Sequence, residues 1–285
     1  MITGGNATVY VSSLDEAIDF YVRRLGLKLT NRFGDQWATV ETGPSYWTRD
    51  EAGAGLTLGL HPPSAKQPPP GTAGSVGFGL ETYEPIEGVA LRLTESGVRV
   101  EGEIVRFEAG NVVGMVDQDG LPTYVHEFPP EMVPETDLGA PDEAVPASNA
   151  AMIGGGHAIV YVSNMDVAIG FYTDTLGLTL TNRFGDHWAT VEAGRLVIGI
   201  HPQTPRTPAP SSRGSVMLGL TIDEPIERVV SQLTARGVRI TGPIVRAQGD
   251  AFVEIVDPDG NPIYLWEVKR QATDEAATRQ EAVAK

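Results

Sequence analysis

Gly26-Leu27-Lys28-Leu29-Thr30-Asn31-Arg32-Phe33-Gly34-Asp35-Gln36-Trp37-Ala38-Thr39-Val40-Glu41 returns almost unchanged as Gly177-Leu178-Thr179-Leu180-Thr181-Asn182-Arg183-Phe184-Gly185-Asp186-His187-Trp188-Ala189-Thr190-Val191-Glu192. The match runs to the end of each half, where Asp117-Gln118-Asp119-Gly120 becomes Asp257-Pro258-Asp259-Gly260. A repeat this long means two copies of one domain, so the functional question lies in the positions where the copies differ. The expected division is a first domain over 1–128, a linker over 129–150, a second domain over 151–270 and a tail over 271–285. The linker is rich in Pro, Ala, Glu and Asp without apolar periodicity.

The 285 residues are enough for two ordinary cores, and 41% hydrophobic with 20% charged residues describes a folded chain. The net charge of −16 repels phosphate backbones, so nucleic acid is not an expected partner. The sequence has no cysteine, which removes disulfides, thiolate ligands and a cysteine nucleophile. Met1-Ile2-Thr3-Gly4-Gly5 does not open a basic-then-apolar leader, and no apolar run is long enough for a bilayer. The expectation is a soluble cytoplasmic protein without membrane partners.

Each half reads as strand, helix, three strands, then the same order again. Ser13 and Glu16 form a capping box, Ile18, Tyr21, Val22 and Leu25 recur at helical spacing, and Gly26 stands where a left-handed stop belongs. Strands are expected at Ala7–Val11, Leu27–Asn31, Trp37–Glu41, Leu56–His61 and Ser75–Leu80, with partners in the second copy. Pro85 opens a second helix that stops at Gly97. The Asp-Gly pairs signal hairpins. The fold class is therefore α+β, with each half made of two β-α-β-β-β units. The first copy carries an insertion around Pro44–Ala54 that includes Tyr46 and Trp47. A tolerated surface loop is the simpler reading, and a flap over a site the other.

Ala17-Ile18-Asp19-Phe20-Tyr21…Leu25-Gly26-Leu27, Ala168-Ile169-Gly170-Phe171-Tyr172…Leu176-Gly177-Leu178 and the Asp-Pro-Asp-Gly hairpin resemble the vicinal oxygen chelate superfamily. That group includes glyoxalase I, extradiol dioxygenases, fosfomycin-modifying enzymes and bleomycin-binding proteins. The resemblance implies cups built from pairs of units, with divalent-metal ligands projecting inward from four strands. At those positions this chain has Asn6 and His157, Gly59 and Gly199, Ser75 and Ser215, and Tyr124 and Tyr264. The carboxylates are missing, and only His157 matches a ligand. Glu127 and Glu267 lie three residues beyond Tyr124 and Tyr264, so strand alternation turns them to the opposite face.

Alternation places His61 with Gly59, His201 with Gly199 and His126 with Tyr124. Two pairings of the units are open. Exchange between copies gathers Ser75, Tyr124 and His126 with His157 and His201, and leaves Asn6, His61, Ser215, Tyr264 and Trp266 in the other cavity. Without exchange His157 meets His201, Ser215, Tyr264 and Trp266. Tyr10 and Tyr161 share the inward face of the first strand. His61 and His201 precede proline and either cap a loop or reach a ligand.

The leading expectation is a small-molecule binding protein, for an aromatic or cationic compound of the natural-product or antibiotic type, because rings and polar tips suit a flat ligand. The alternative is a divalent-metal lyase, isomerase or dioxygenase with Zn, Fe, Mn or Ni on His157, His201 and His126. In a third reading one cavity works and its duplicate is scaffold. The two halves are expected to close on each other as an intramolecular pseudo-dimer, with unequal cavities of which the His157 one is functional.

Overall fold

The computed structural model describes residues 1–48, 53, 55–107, 110–128, 152–247 and 250–268. The expected linker and tail, and residues 49–52 and 54 of the insertion, lie outside the described residues. The first unit comprises β1 (Ile2–Tyr10), α1 (Leu14–Ile18), β2 (Lys28–Phe33), β3 (Trp37–Pro44) and β4 (Gly55–His61). The second has β5 (Val76–Thr82), α2 (Ile86–Glu95), β6 (Arg99–Phe107), β7 (Gly110–Val116) and β8 (Pro122–Glu127). The third repeats the first as β9 (Gly155–Val162), α3 (Met165–Gly170), β10 (Thr179–Phe184), β11 (Trp188–Ala193) and β12 (Leu196–Pro202). The fourth has β13 (Val216–Ile222), α4 (Ile226–Ala235), β14 (Arg239–Ile240), β15 (Val245–Ala247), β16 (Asp250–Val256) and β17 (Pro262–Glu267). No helix among the described residues is long and apolar enough to cross a membrane.

Local signals act as the sequence suggests, with one difference. The Ser13 side chain accepts from the Glu16 amide at 3.3 Å, and Gly26 and Gly177 take φ of +83° and +81°. After Ile18, however, α1 widens into a π-helical turn over Asp19–Arg24, with Leu25 N bonding Phe20 O. The wider turn lets adjacent Phe20 and Tyr21 both reach the core, where they are 2% and 0% exposed. Each Asp-x-Asp-Gly hairpin is a docking point rather than a free turn. Asp117 Oδ1 accepts the Asp119 and Leu121 amides and its Oδ2 accepts Tyr21 Oη at 3.0 Å, while Asp119 caps the Ser12 amide. Asp257, Tyr172, Asp259 and Ser163 repeat this in the second copy.

The sheet register decides between the two pairings. β1 runs parallel to β4 and antiparallel to β13, with Asn6 opposite Gly219, and β13 is parallel to β17. β9 runs parallel to β12 and antiparallel to β5, with His157 opposite Gly79, and β5 is parallel to β8. Each cup thus takes one unit from each copy: the exchanged arrangement. We call them the Asn6 cup, from the first and fourth units, and the His157 cup, from the second and third. One apolar core runs through all four units, from Val9 and Leu58 to Ile198 and Leu218, so the halves fold against each other as an intramolecular pair.

Candidate functional site

In the His157 cup, the β9 histidine is 1% exposed and Glu81 on β5 is fully buried. His157 Nδ1 lies 2.6 Å from Glu81 Oε1. The same carboxylate accepts Ser45 Oγ at 2.7 Å and the Tyr46 amide at 2.6 Å, so three donors surround it. Charge-assisted bonds of this kind offset much of the cost of burying a carboxylate. The other ring nitrogen, Nε2, is 3.2 Å from Tyr124 Oη on β8. Burial, helped by the neighbouring Tyr161 and Glu81, holds the Tyr124 hydroxyl well above the ordinary phenol range, so it keeps its proton.

Glu81 was not singled out from the sequence. Alternation along β5 sets it on the face of Ser75, Gly77 and Gly79, and its counterpart in the other copy is Thr221. A carboxylate exchanged for a hydroxyl between otherwise similar strands was the available signal.

The described start of the insertion, residues 44–48, packs down as a flap. Ser45 and Trp47 are 2% and 7% exposed. Tyr46 stacks on Phe128 with centroids 4.1 Å apart, and Trp47 meets Phe128, Phe184 and Trp188. Asn182 Nδ2 donates to Trp47 O at 3.1 Å, and Tyr83 Oη to Pro44 O at 3.2 Å. The segment follows β3 of the Asn6 cup and crosses to cover the other one. There β4 and β12 pair in parallel at their first residues, with Leu196 beside Gly55.

Below Tyr124 opens a cavity of about 380 Å³, lined by Gly77, Leu121, Tyr124 and Tyr161, with Arg206 and Pro208 on the rim. The Asn6 cup carries larger side chains at the matching places. Met217 stands where the His157 cup has Gly77, Arg213 where it has Ala73, and Glu254 where it has Gly114. Arg213 and Glu254 form an ion pair there, and Thr241 Oγ1 donates to Glu254 at 2.7 Å. Burial pushes the Glu254 carboxyl up, but Arg213 and Thr241 outweigh it and the net shift is downward. Tyr264 beside it is pushed up to about 12, by burial first and then by Tyr10 and Glu254.

The remaining residues expected in the site divide between the cups. Tyr161 and His201 are on the His157 side, with ring centroids 5.7 Å apart. Tyr10, His61, Tyr264 and Trp266 are on the Asn6 side, where Trp37 touches both His61 and Trp266. His126 leans on Phe128 at 4.2 Å, at the closed end beneath the flap. His61 and His201 direct Nδ1 at the carbonyls of Pro62 and Pro202, so both hold the loop that follows them. Ser75 and Ser215 do not point into the cups. Their hydroxyls donate to Ser212 O and Thr72 O, each at 3.1 Å, because both serines lie where the two copies cross. Glu127 and Glu267 accept the Ile86 and Ile226 amides at the starts of α2 and α4, on the outer face as alternation required.

A family profile described as the Glyoxalase/Bleomycin resistance protein/Dioxygenase superfamily matches residues 5–123 and 154–265. The chain belongs to this superfamily. Among solved structures with this fold, a putative dioxygenase from Bacillus subtilis is 18% identical with a TM-score of 0.58, over 96% of this chain and 88% of that one. Glyoxalase I from Zea mays is 15% identical with a TM-score of 0.63, over 94% and 92%. No curated protein sequence matches. At these identities the likeness establishes the fold alone.

The divalent metal that the superfamily resemblance implies does not fit the donors present. Where the glyoxalase pattern has a carboxylate, Gly199 is covered by the Trp188 indole: a Cβ there would stand 2.2 Å from the ring. An indole N–H donates and cannot ligate. His157, His201 and His126 do not converge, since each ring is engaged separately, and no group of three His, Asp or Glu among the described residues could hold a metal ion. The three histidines of the metal-dependent alternative are thus not brought together, and the cup holds instead a buried His157–Glu81 pair.

Burial depresses His201 below the usual 6.5, against the opposing pull of the Pro202 carbonyl, with His187 adding to the drop. Its neutral form belongs to the folded state. Its contribution to stability is present above pH 6.5 and is lost as pH falls through its lowered value. An NMR titration should place the His201 midpoint below 6.5, and H201Q should flatten the acid side of the stability profile. A midpoint above 6.5 would contradict the burial.

Proposed function

We propose that the His157 cup binds a small, flat aromatic molecule of the natural-product type, and that the Asn6 cup is its structural counterpart. One observation carries this reading. Three positions that hold Met217, Arg213 and Glu254 in one cup hold Gly77, Ala73 and Gly114 in the other, and the open volume of about 380 Å³ lies on the side of the small residues. That volume is within the range of small-molecule sites. Val76, Phe78, Leu121 and Pro208 give it apolar surface, while Tyr124, Tyr161, Arg206 and Thr207 supply polar groups to fix orientation.

Gly77 offers the cleanest test. A Cβ built on it meets nothing within 4 Å, so a larger side chain enters the cavity without displacing the fold. G77L should weaken binding of aromatic ligands found in a fluorescence screen by at least about tenfold. It should change unfolding stability by no more than roughly 0.5 kcal/mol, as substitutions into open space do. M217A, on the matching strand of the Asn6 cup, should leave the affinity unchanged. Binding that survives G77L but is altered by M217A would move the site to the other cup.

A further inference from the structure

Glu81, His157 and Tyr124 form a continuous line from the buried end of the cup to the cavity wall. A buried carboxylate requires donors, so His157 presents Nδ1–H to Glu81. Nε2 then carries the lone pair, and Tyr124 Oη, 3.2 Å away, donates its proton to it. The phenol oxygen is left with its own lone pairs directed elsewhere. Of the three, Tyr124 is the one that lines the cavity, so it is the member that a bound molecule reaches.

Resting on the reading of this cup as a small-molecule site, we propose that the three residues are a proton relay and that the ligand is a weakly acidic aromatic, a phenol, whose hydroxyl proton the relay takes up. The step balances. The ligand O–H bond breaks and its proton passes to Tyr124 Oη; the Tyr124 proton passes to His157 Nε2. The products are a ligand phenolate, an intact Tyr124 phenol that donates to it, and an imidazolium facing the Glu81 carboxylate. No oxidant or metal takes part. The negative charge that appears on the ligand lies on the side of Arg206, at the rim of the same cavity.

Titratable groups on the surrounding strands include Tyr161 on β9, Glu192 on β11, His201 on β12 and His126 on β8. Burial keeps Tyr161 protonated and His201 neutral, so neither competes with Arg206 for the phenolate. The Asn6 cup cannot perform the step. Asn6 replaces the histidine and Thr221 the carboxylate, and Asn6 Nδ2 donates to Thr8 Oγ1. Tyr124 is the residue placed against the ligand; His157 and Glu81 act through it as positioning residues.

The test uses 4-nitrophenol, whose ionised form is coloured, with nitrobenzene as the isostere that has no proton to give. The pH is set where free nitrophenol is mostly protonated. The full chain should bind nitrophenol as its phenolate, with the probe's apparent pKa lowered by about one unit, a tenfold preference for the ion. H157Q, E81Q and Y124F should each abolish the colour. Y124F removes only a hydroxyl and serves where a buried-pair variant fails to fold, as judged by circular dichroism. Nitrophenol bound as the neutral phenol, or colour that persists in Y124F or H157Q, overturns the relay. Equal binding of nitrobenzene and nitrophenol without ionisation overturns the relay while leaving the cup a ligand site. Binding of neither probe, with ligands still captured in the aromatic screen, rejects the phenol class.

Discussion

Replacing Glu81 by alanine is expected to cost about 3–5 kcal/mol of folding stability, the range for removing one partner of a buried pair. The substitution deletes a fully buried acceptor and strands His157 Nδ1, Ser45 Oγ and the Tyr46 amide. Water does not readily replace the carboxylate there, because Tyr46, Trp47 and Phe128 seal that end of the cup. The melting temperature should fall on the order of 10 °C. E81Q should cost less, since one amide oxygen still accepts. The control is T221A at the equivalent place in the Asn6 cup, where Thr221 Oγ1 makes only a 3.5 Å contact with Thr3 and the cost should stay below about 1 kcal/mol. If E81A proves as mild as T221A, Glu81 is not the anchor of the site. Loss of Glu81 should also free the flap, so Trp47 fluorescence should move toward that of a solvated indole before global unfolding.

The repeat made the fold legible. Ser13, Gly26 and Gly97 marked helix ends, and period-two alternation assigned faces correctly for Glu127, Glu267, Tyr124 and Tyr161. The site was only half legible. Asn6 against His157 and His126 against Trp266 are the differences that the sequence reading singles out, and Glu81 against Thr221 is not among them. Attention to positions the superfamily uses for metal passed over a carboxylate on the same face of β5. Ser75 and Ser215 were expected to line cavities; whether the start of a strand faces a cup or a neighbouring backbone depends on how the copies cross, which no local pattern encodes. The insertion was read more readily as a surface loop, because nothing in Tyr46-Trp47 states which cup lies beneath it. Volume was the second neglected signal. Gly77 against Met217, Ala73 against Arg213 and Gly114 against Glu254 all differ in bulk, and the cavity of about 380 Å³ lies beside Ala73 and Gly77. Comparing the copies for size as well as for titratable groups would have found it.

The crossing itself rests on Gly74 and Gly214, and substituting either should be among the most damaging single changes in the chain. An added Cβ on Gly74 would stand 2.2 Å from Gly214 N and 2.6 Å from its Cα; one on Gly214 would stand 2.4 Å from Gly74 N and 2.7 Å from its Cα. The obstacles are backbone, so no rotamer change relieves them. The two strands must separate, which lengthens Ser75 N to Ser212 O at 2.8 Å and Ser215 N to Thr72 O at 2.7 Å. Overpacking of this kind costs roughly 1–3 kcal/mol, and each lost hydrogen bond adds about 0.5–1.5 kcal/mol, so G74A and G214A should each destabilise by around 3 kcal/mol in urea unfolding. Tyr10 N bonds Ser215 O and Tyr161 N bonds Ser75 O, so the disturbance reaches the first strand of both cups and should weaken ligand binding beside Tyr161. The double variant discriminates the cause. Once the first alanine has forced the backbones apart, the second enters a gap already made, so G74A/G214A should cost clearly less than the sum of the two. Costs that simply add would mean that the two glycines are needed for their own backbone conformations and not for their contact with each other.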